Sequence, residues 1–300
     1  MLIRERLEKG NFSSSERTIV DFILEQKMKI QDMTTKEIAQ ATYTSPSTLI
    51  RIAHKMHFNG WNELKAAYLK ETQYLETHFA HIDANLPFEN NDTIMSIASK
   101  LATLKKESID DTLSLVTHDE LQKAVGIIRK SEGIRLFAVS NNGLITQEFA
   151  HRMGRIGKEV KVCALQGELV YQACLTPAKD CAIIVSYSGE TPILGRVASA
   201  LKANHIPLIA ITNIGDNTVS RQADVVLRIC TRERLYSKIA TFSTDISIEY
   251  ILDLLYACVF ALHYDRHLKT KIDVSRMIER GRFSTLEMVR EDLFEDENAE

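Results

Sequence analysis

Proline and glycine are scarce in these 300 residues, with 5 and 12 copies, and there is one tryptophan. So little backbone punctuation excludes a collagen-like or low-complexity chain. Hydrophobic residues make up 45% and charged residues 26%, enough apolar surface to offset the entropy of ordering, so the chain folds. A net charge of −3 lays no basic field over the whole molecule, and any nucleic-acid binding must come from a local patch. The cysteines (Cys163, Cys174, Cys181, Cys230, Cys258) are odd in number and contain no CxxC pair. Lying mostly inside apolar runs, they exclude a disulfide framework and a zinc knuckle and read as core thiols of a reducing cytoplasm. MLIRERLEKG has no signal-peptide core. The longest apolar stretch, 250–264, is interrupted by Asp253 and falls short of the roughly 20 residues of a membrane span. The expectation is a cytoplasmic protein with no membrane partner.

A length of 300 residues suggests two domains at about 150 residues each. From Ser13 to Thr77 the apolar residues recur at helical spacing (Ile19, Phe22, Ile23; Leu64, Ala67, Tyr68), so this part is all α. The stretch HFAHIDANLPFENND, residues 78–92, holds the turn formers Asp83, Asn85, Pro87 and Asn90 and reads as a linker. A helical stretch over 93–130 follows. Short β-rich runs then alternate with helical ones, at 134–140, 160–164, 181–185, 208–212 and 225–229. Strand-helix alternation predicts a parallel sheet buried on both faces, in a three-layer α/β/α arrangement. From 278 to 300 there are eight acidic residues against three arginines, which reads as a helix fraying into a solvated tail.

The segment TTKEIAQATYTSPSTLIRIAHKM carries two helix starts in close succession. Thr34 with Glu37 makes a capping box, and Ser45 before Pro46 sets an N-cap ahead of a proline at the first helical position. Two short helices meet at a tight turn near Tyr43 and Thr44. On the second, Leu49, Ile52, Ala53 and Met56 form an apolar stripe, while Ser47, Thr48, Arg51, His54 and Lys55 share the opposite face. A helix that docks by one face and offers hydroxyls and cations on the other suits a major groove, and Ser45 and Ser47 at its start suit a phosphate. An ordinary bundle hairpin has the same pattern, and residues 1–77 balance eleven Lys/Arg with ten Asp/Glu. Local charge favours nucleic acid, since 45–70 holds Arg51, Lys55, Lys65 and Lys70 against Glu63 alone. His54 and His57 read as surface residues, because no cysteine or carboxylate is placed to complete a metal site.

The run from FSSSERTIV to FNGWNELKAAY is similar over its whole length to the N-terminal helix-turn-helix domain of RpiR-type transcriptional regulators. The matching features are the SxxER start, the TxxEIA helix, the SPSTLIR recognition helix and the closing FNGWNELK. His57 stands where that family usually has glycine, and Thr44 where it has an apolar residue. The resemblance implies operator double-stranded DNA as partner, contacted by Lys36, Ser45, Ser47, Thr48, Arg51 and Lys55, and a homo-oligomer, dimer or tetramer.

Further on, CAIIVSYSGETPILGRVASAL is a strand, a loop of hydroxyls and glycine, then a helix. A phosphate at the edge of that strand would meet Ser186, Ser188, the backbone at Gly189 and the positive end of the helix dipole, with no lysine required. Thr191 either donates to the same anion or caps the helix before Pro192. Ser140, Asn141, Asn142 and Gly143 follow an earlier strand in the same way, and in a parallel sheet the two loops converge at a switch point. Such loops are also good turns and caps with no ligand at all. Together they resemble a SIS (sugar isomerase) domain over about 106–267, with SYSGET, PLIAIT and EFAHRMGRIGKEV as the matching pieces.

This second resemblance implies a five-stranded parallel sheet and a phosphosugar effector held by Ser140, Asn141, Asn142, Ser186, Tyr187, Ser188 and Thr191. SNNG departs from the family's Gly-Ser-Ser, and FSTDISIEYILDLLY lacks its Ser-Arg and Gln.

An isomerase of this fold needs a general base, and no motif places one. Glu168, Glu190, Glu249, His205 and His263 are the candidates, each with a plain surface or structural reading. The expected whole is α/β: a helix-turn-helix domain at 1–77, a linker at 78–105, a SIS domain at 106–267 and a helical acidic tail at 268–300. It is expected to regulate transcription without catalysis, metal or cofactor, and to dimerise through the apolar helix 250–262. The alternative is a phosphosugar isomerase with an appended helical domain.

Overall fold

The computed structural model describes residues 2–77, 82–163 and 165–278, together with 285, 286 and 288. The first part contains α1 (Ile3–Lys9), α2 (Ser14–Gln26), a 3-10 turn (Lys27–Asp32), α3 (Thr35–Ala41), α4 (Pro46–Lys55) and α5 (Trp61–Thr77). Ile19, Ile23, Ile38, Leu49, Ile52, Trp61 and Leu64 close a core among them. The alternating charges of MLIRERLEKG conceal α1. Seven residues are too few for a helix to persist alone, and this one is held from outside. The Glu71 carboxylate on α5 accepts the N–H groups of Ile3 (2.7 Å) and Arg4 (2.8 Å), and Leu7 is buried.

The Thr34–Glu37 capping box forms at the start of α3, with Glu37 N–H donating to Thr34 Oγ1 (3.2 Å) and Thr34 N–H to Glu37 Oε2 (2.7 Å). Ser45 stands at the N-cap of α4 with Pro46 at the first helical position. Leu49, Ile52, Ala53 and Met56 are all buried, as the stripe predicts.

The second part runs α6 (Ile94–Leu115), α7 (His118–Lys130), β1 (Gly133–Ala138), α8 (Asn141–Gly154), β2 (Glu159–Cys163), α9 (Leu169–Cys174), β3 (Cys181–Ser186), α10 (Pro192–Ala203), β4 (Leu208–Thr212), β5 (Val225–Arg228), α11 (Phe242–Ala261) and α12 (Tyr264–Ile278). The helical stretch after residue 93 is two helices, because Thr117 caps a second start by accepting Glu120 N–H. α6 is continuous through residue 105, where the sequence reading ends the linker.

The sheet is parallel, in the order β2-β1-β3-β4-β5. Alternate strand residues face opposite layers. Leu136, Ala138, Ile183, Val185 and Ile209 pack with α7, α8 and α11 residues, while Phe137, Ala182, Ile184, Leu208 and Ala210 pack with those of α9 and α10. Every residue of β3 and β4 is buried. β2 alternates between exposed and half-buried positions up to the buried Cys163, so burial on both faces fails along most of this edge strand. β1 stops at Ala138 rather than at Ser140, whose φ of 54° turns it out of the sheet. The expected last residue of β2, at 164, lies outside the described residues.

One other expectation changes. Cys163, Cys181 and Cys230 are core thiols, but Cys174 is exposed. In the helix 250–262, Ile251, Leu252, Leu255 and Val259 are buried against this chain's own sheet, and the remaining residues of the helix are half-buried or exposed. α12 leaves α11 at an angle of 104° and has no buried residue. Among the described residues no single helix is long and apolar enough to cross a membrane. Nearly all of the acidic tail lies outside the described residues.

Candidate functional sites

The turn between α3 and α4 is made by Tyr43, whose φ of 51° is left-handed and whose side chain is 99% exposed. A bulky residue in that conformation costs energy unless its surroundings hold it there. Lys36, Ser45, Ser47, Arg51 and Lys55 are exposed on α3, α4 and the turn between them. Thr48 is not, at 2% exposure, because it lies where α4 turns towards the core. Its hydroxyl shares a hydrogen bond with Ser45 Oγ (3.1 Å) and accepts one from Arg51 Nη2 (2.9 Å). Thr48 therefore orients two exposed neighbours and does not itself face outward.

Lys55 is also partly committed. Its ammonium bonds the buried Glu16 carboxylate at 2.6 Å, and this bond holds Glu16 below the usual carboxylate range. Lys65 donates to the carbonyls of Gln31 and Met33, both at 2.7 Å, closing the 3-10 turn. The local surplus of cations seen in the sequence thus shrinks in the fold, leaving Arg51 as the most available cation on α4. Sequence reasoning passed over Tyr43 as a site residue, although its place in the turn pointed to it. His57 has a φ of 65° at the end of α4, the conformation that favours glycine there.

In the second part the strand order reverses between β1 and β3, and Ala138 is paired with Val185. The loops after these strands consequently leave the sheet side by side at its carboxyl edge, each running into a helix N-terminus. Ser186 is 2% exposed, while Ser188 and Thr191 are half-buried. Ser186 Oγ accepts Gly189 N–H (3.2 Å) and lies 3.4 Å from Thr191 Oγ1, and Ser188 Oγ accepts Glu190 N–H (3.2 Å).

Gly189 has a φ of 65°, and a Cβ there would sit 2.0 Å from the Asn217 side chain. Asn217 Nδ2 donates to Thr212 Oγ1 (3.1 Å), and Asn213 Nδ2 donates to the carbonyls of Tyr187 (2.8 Å) and Ser188 (3.1 Å). The loop is clamped from behind by two asparagines that no sequence motif marked.

Tyr187 turns away from this loop. Its hydroxyl donates to the Glu233 carbonyl (2.6 Å) and accepts the Glu233 N–H (3.0 Å), and burial raises its pKa. The hydroxyl is thereby committed to fixing the chain at Glu233. The Glu233 carboxylate is buried, accepts the N–H groups of Ser243 (2.6 Å) and Thr244 (3.1 Å) at the start of α11, and takes Lys238 Nζ at 3.0 Å.

On the β1 side Ser140 and Asn141 are exposed and Asn142 is half-buried. Asn141 Nδ2 donates to both Asp245 carboxylate oxygens at 2.9 Å, and burial pushes the Asp245 carboxyl above its usual range. Glu233, Lys238 and Asp245 escaped the sequence reading because their meaning arises only when residues 232–245 fold back against the two loops.

The candidate bases are scattered. Glu190 accepts Thr218 N–H (3.0 Å) and Thr218 Oγ1 (2.5 Å), and Glu168, His205 and His263 are exposed. Glu249 lies half-buried on α11. Among the described residues no group of three His, Cys, Asp or Glu side chains is placed to hold a metal.

Residues 1–74 match the helix-turn-helix domain of the rpiR family, and residues 127–245 match the SIS domain. An uncharacterised HTH-type transcriptional regulator of Caldanaerobacter subterraneus is 25% identical over 89% of this chain and 94% of its own length. One from Haemophilus influenzae is 26% identical over 87% and 90%. Among solved structures, the Vibrio vulnificus NanR protein complexed with ManNAc-6P has a TM-score of 0.58 at 21% identity, covering 92% of this chain and 98% of that one. The sugar isomerase domain of an RpiR transcription factor from Sphaerobacter thermophilus has a TM-score of 0.53 at 19% identity, covering 60% of this chain and 98% of that one. The helices that open the molecule thus match the helix-turn-helix domain of the rpiR family and the parallel sheet behind them matches a SIS domain, in a chain similar over most of its length to two HTH-type transcriptional regulators.

Proposed function

We propose that this protein binds operator DNA and that its affinity changes when a phosphorylated sugar occupies the SIS domain. The observation that carries the reading is the pairing, in one chain, of a recognition helix exposing Ser45, Ser47 and Arg51 with a clamped hydroxyl loop between two helix N-termini. The phosphate belongs against Ser188, Thr191 and the α10 N-terminus, with Ser140, Asn141 and Asn142 on the facing loop. The sugar then extends towards Glu233, Lys238 and Asp245. NanR in its complex with ManNAc-6P supports this reading by fold. Ser45, Ser47, Arg51, Lys36 and Tyr43 form the DNA face, with Lys55 shared between DNA and Glu16. A two-fold oligomer on a palindromic site in the cytoplasm follows from the same reading.

The protein acts as a sensor rather than an isomerase on this reading, because the nearby carboxylates are already engaged: Glu190 by Thr218, Glu233 by Ser243, Thr244 and Lys238, and Asp245 by Asn141. Incubation with aldose and ketose 6-phosphates should give no turnover at enzymatic rates, while one or more of them raises the melting temperature. Ser188→Ala should weaken that ligand by about 1–2 kcal/mol in calorimetry, through loss of a charge-assisted hydrogen bond. Unchanged affinity would remove the loop from the site.

A further inference from the structure

Between the DNA-reading helices and α6, in a segment that the sequence presents only as turn formers, Asn85 is buried at 8% exposure. Its side-chain oxygen accepts Arg234 N–H (2.6 Å), and its Nδ2 donates to Asp83 Oδ1 (2.8 Å) and to the Arg232 carbonyl (3.4 Å). Its own carbonyl accepts Ile239 N–H (2.9 Å), and Arg232 Nη2 reaches the Ile82 carbonyl (3.2 Å). Residues 232–239 have no helix or strand of their own. The linker supplies the pairing that a neighbouring strand would otherwise give.

The same strap faces the site in its other direction. Glu233 is held by Tyr187 and caps α11, and Lys238 Nζ lies 5.4 Å from the centre of the Tyr187 ring. Arg232 completes the sandwich by pairing with Glu107 (2.8 Å) and Asp111 (3.8 Å) on α6. One short segment thus has the sugar side of the site on one flank and the linker to the DNA-reading domain on the other.

We infer that Asn85 is a positioning residue of the effector site: it seats the 232–239 strap, so that sugar occupancy beside the strap and order in the linker are one linked equilibrium. The inference rests on the phosphosugar reading above. Linkage makes the effect mutual, since whatever favours the seated strap favours the seated linker equally. Asn85 touches no ligand and acts only through Arg232, Arg234 and Ile239. Inorganic phosphate, which needs the Ser188 loop alone, should therefore be indifferent to it.

The test compares full-length wild type with Asn85→Ala and Asn85→Ser, using inorganic phosphate, glucose 6-phosphate and N-acetylmannosamine 6-phosphate as probes in calorimetry. Hydrogen exchange is followed over 82–86 and 232–239. Asn85→Ala should bind the sugar phosphate about tenfold more weakly, leave phosphate affinity within about twofold, and speed exchange in both segments together. Asn85→Ser, which keeps an acceptor, should recover part of the loss. Equal weakening of phosphate and sugar phosphate would mark a merely structural asparagine and overturn the inference, as would sugar-phosphate binding unchanged from wild type. If wild type bound none of the three probes, the phosphosugar reading itself would fall, and the positioning role with it.

Discussion

At the scale of single residues, α4 separates two cations that look alike in sequence. Arg51 is exposed and steadied by Thr48, whereas Lys55 is tied to the buried carboxylate of Glu16. Arg51→Ala should weaken operator binding by roughly 1–3 kcal/mol if it reads a base, with little change in melting temperature, as measured by fluorescence anisotropy across a salt series. Lys55→Met should lower operator affinity too, but unlike Arg51→Ala it should also cost about 1–2 kcal/mol of folding stability by stranding Glu16, a figure discounted for the half-exposed lysine. The sign of its pH dependence follows from Glu16. A carboxylate held below its ordinary range stabilises the fold above that range, and the contribution disappears as pH falls through its lowered value. Denaturant melts should accordingly show the deficit of Lys55→Met in full at pH 7 and diminishing under acid conditions. Spacing placed both residues on one face of the helix, but only the fold shows that one of them already has an internal partner.

At the scale of elements, β3, β4 and the loop after β3 were readable because continuous apolar runs ending in hydroxyls and glycine have few alternatives in a parallel sheet. CAIIVS and LIAIT sit where the runs predicted them, with all their residues buried. α1 was not readable, since its helicity depends on Glu71 nearly seventy positions away. The 232–239 strap was equally opaque, having no periodicity and taking its shape from Asn85, Tyr187 and the start of α11. Asn141 shows the limit within the site: the sequence marks it as a departure from the family's Gly-Ser-Ser, and only the fold shows its bonds to Asp245. The loop's own geometry makes a sharp prediction. Gly189→Ala brings a Cβ onto Asn217 at a left-handed φ, and should cost about 2–4 kcal/mol in chemical denaturation while abolishing sugar-phosphate stabilisation. A variant that kept both properties would show that the Asn217 clamp has room to retreat.

At the scale of the molecule, the two halves are linked by chemistry that neither contains alone. The DNA-reading helices close their own core, and the sheet closes another on each of its faces. Between them, residues 82–85 are bonded to the strap that borders the effector site. α12 touches the second core at its start, where the Phe260 ring of α11 meets Tyr264 and His267. It carries Leu268, Ile272, Met277 and Ile278 outward, and no residue of it is buried. Fifteen residues of helix with so little packing are marginal in water, and in the oligomer proposed above a second copy would be at hand to cover the outward residues. Progressive dilution should then erode mean residue ellipticity at 222 nm ahead of any loss of near-ultraviolet signal, and a spectrum indifferent to concentration would mean that α12 keeps its shape unaided. The carboxyl end of the described chain would in that way serve as a built-in gauge of how many subunits are gathered.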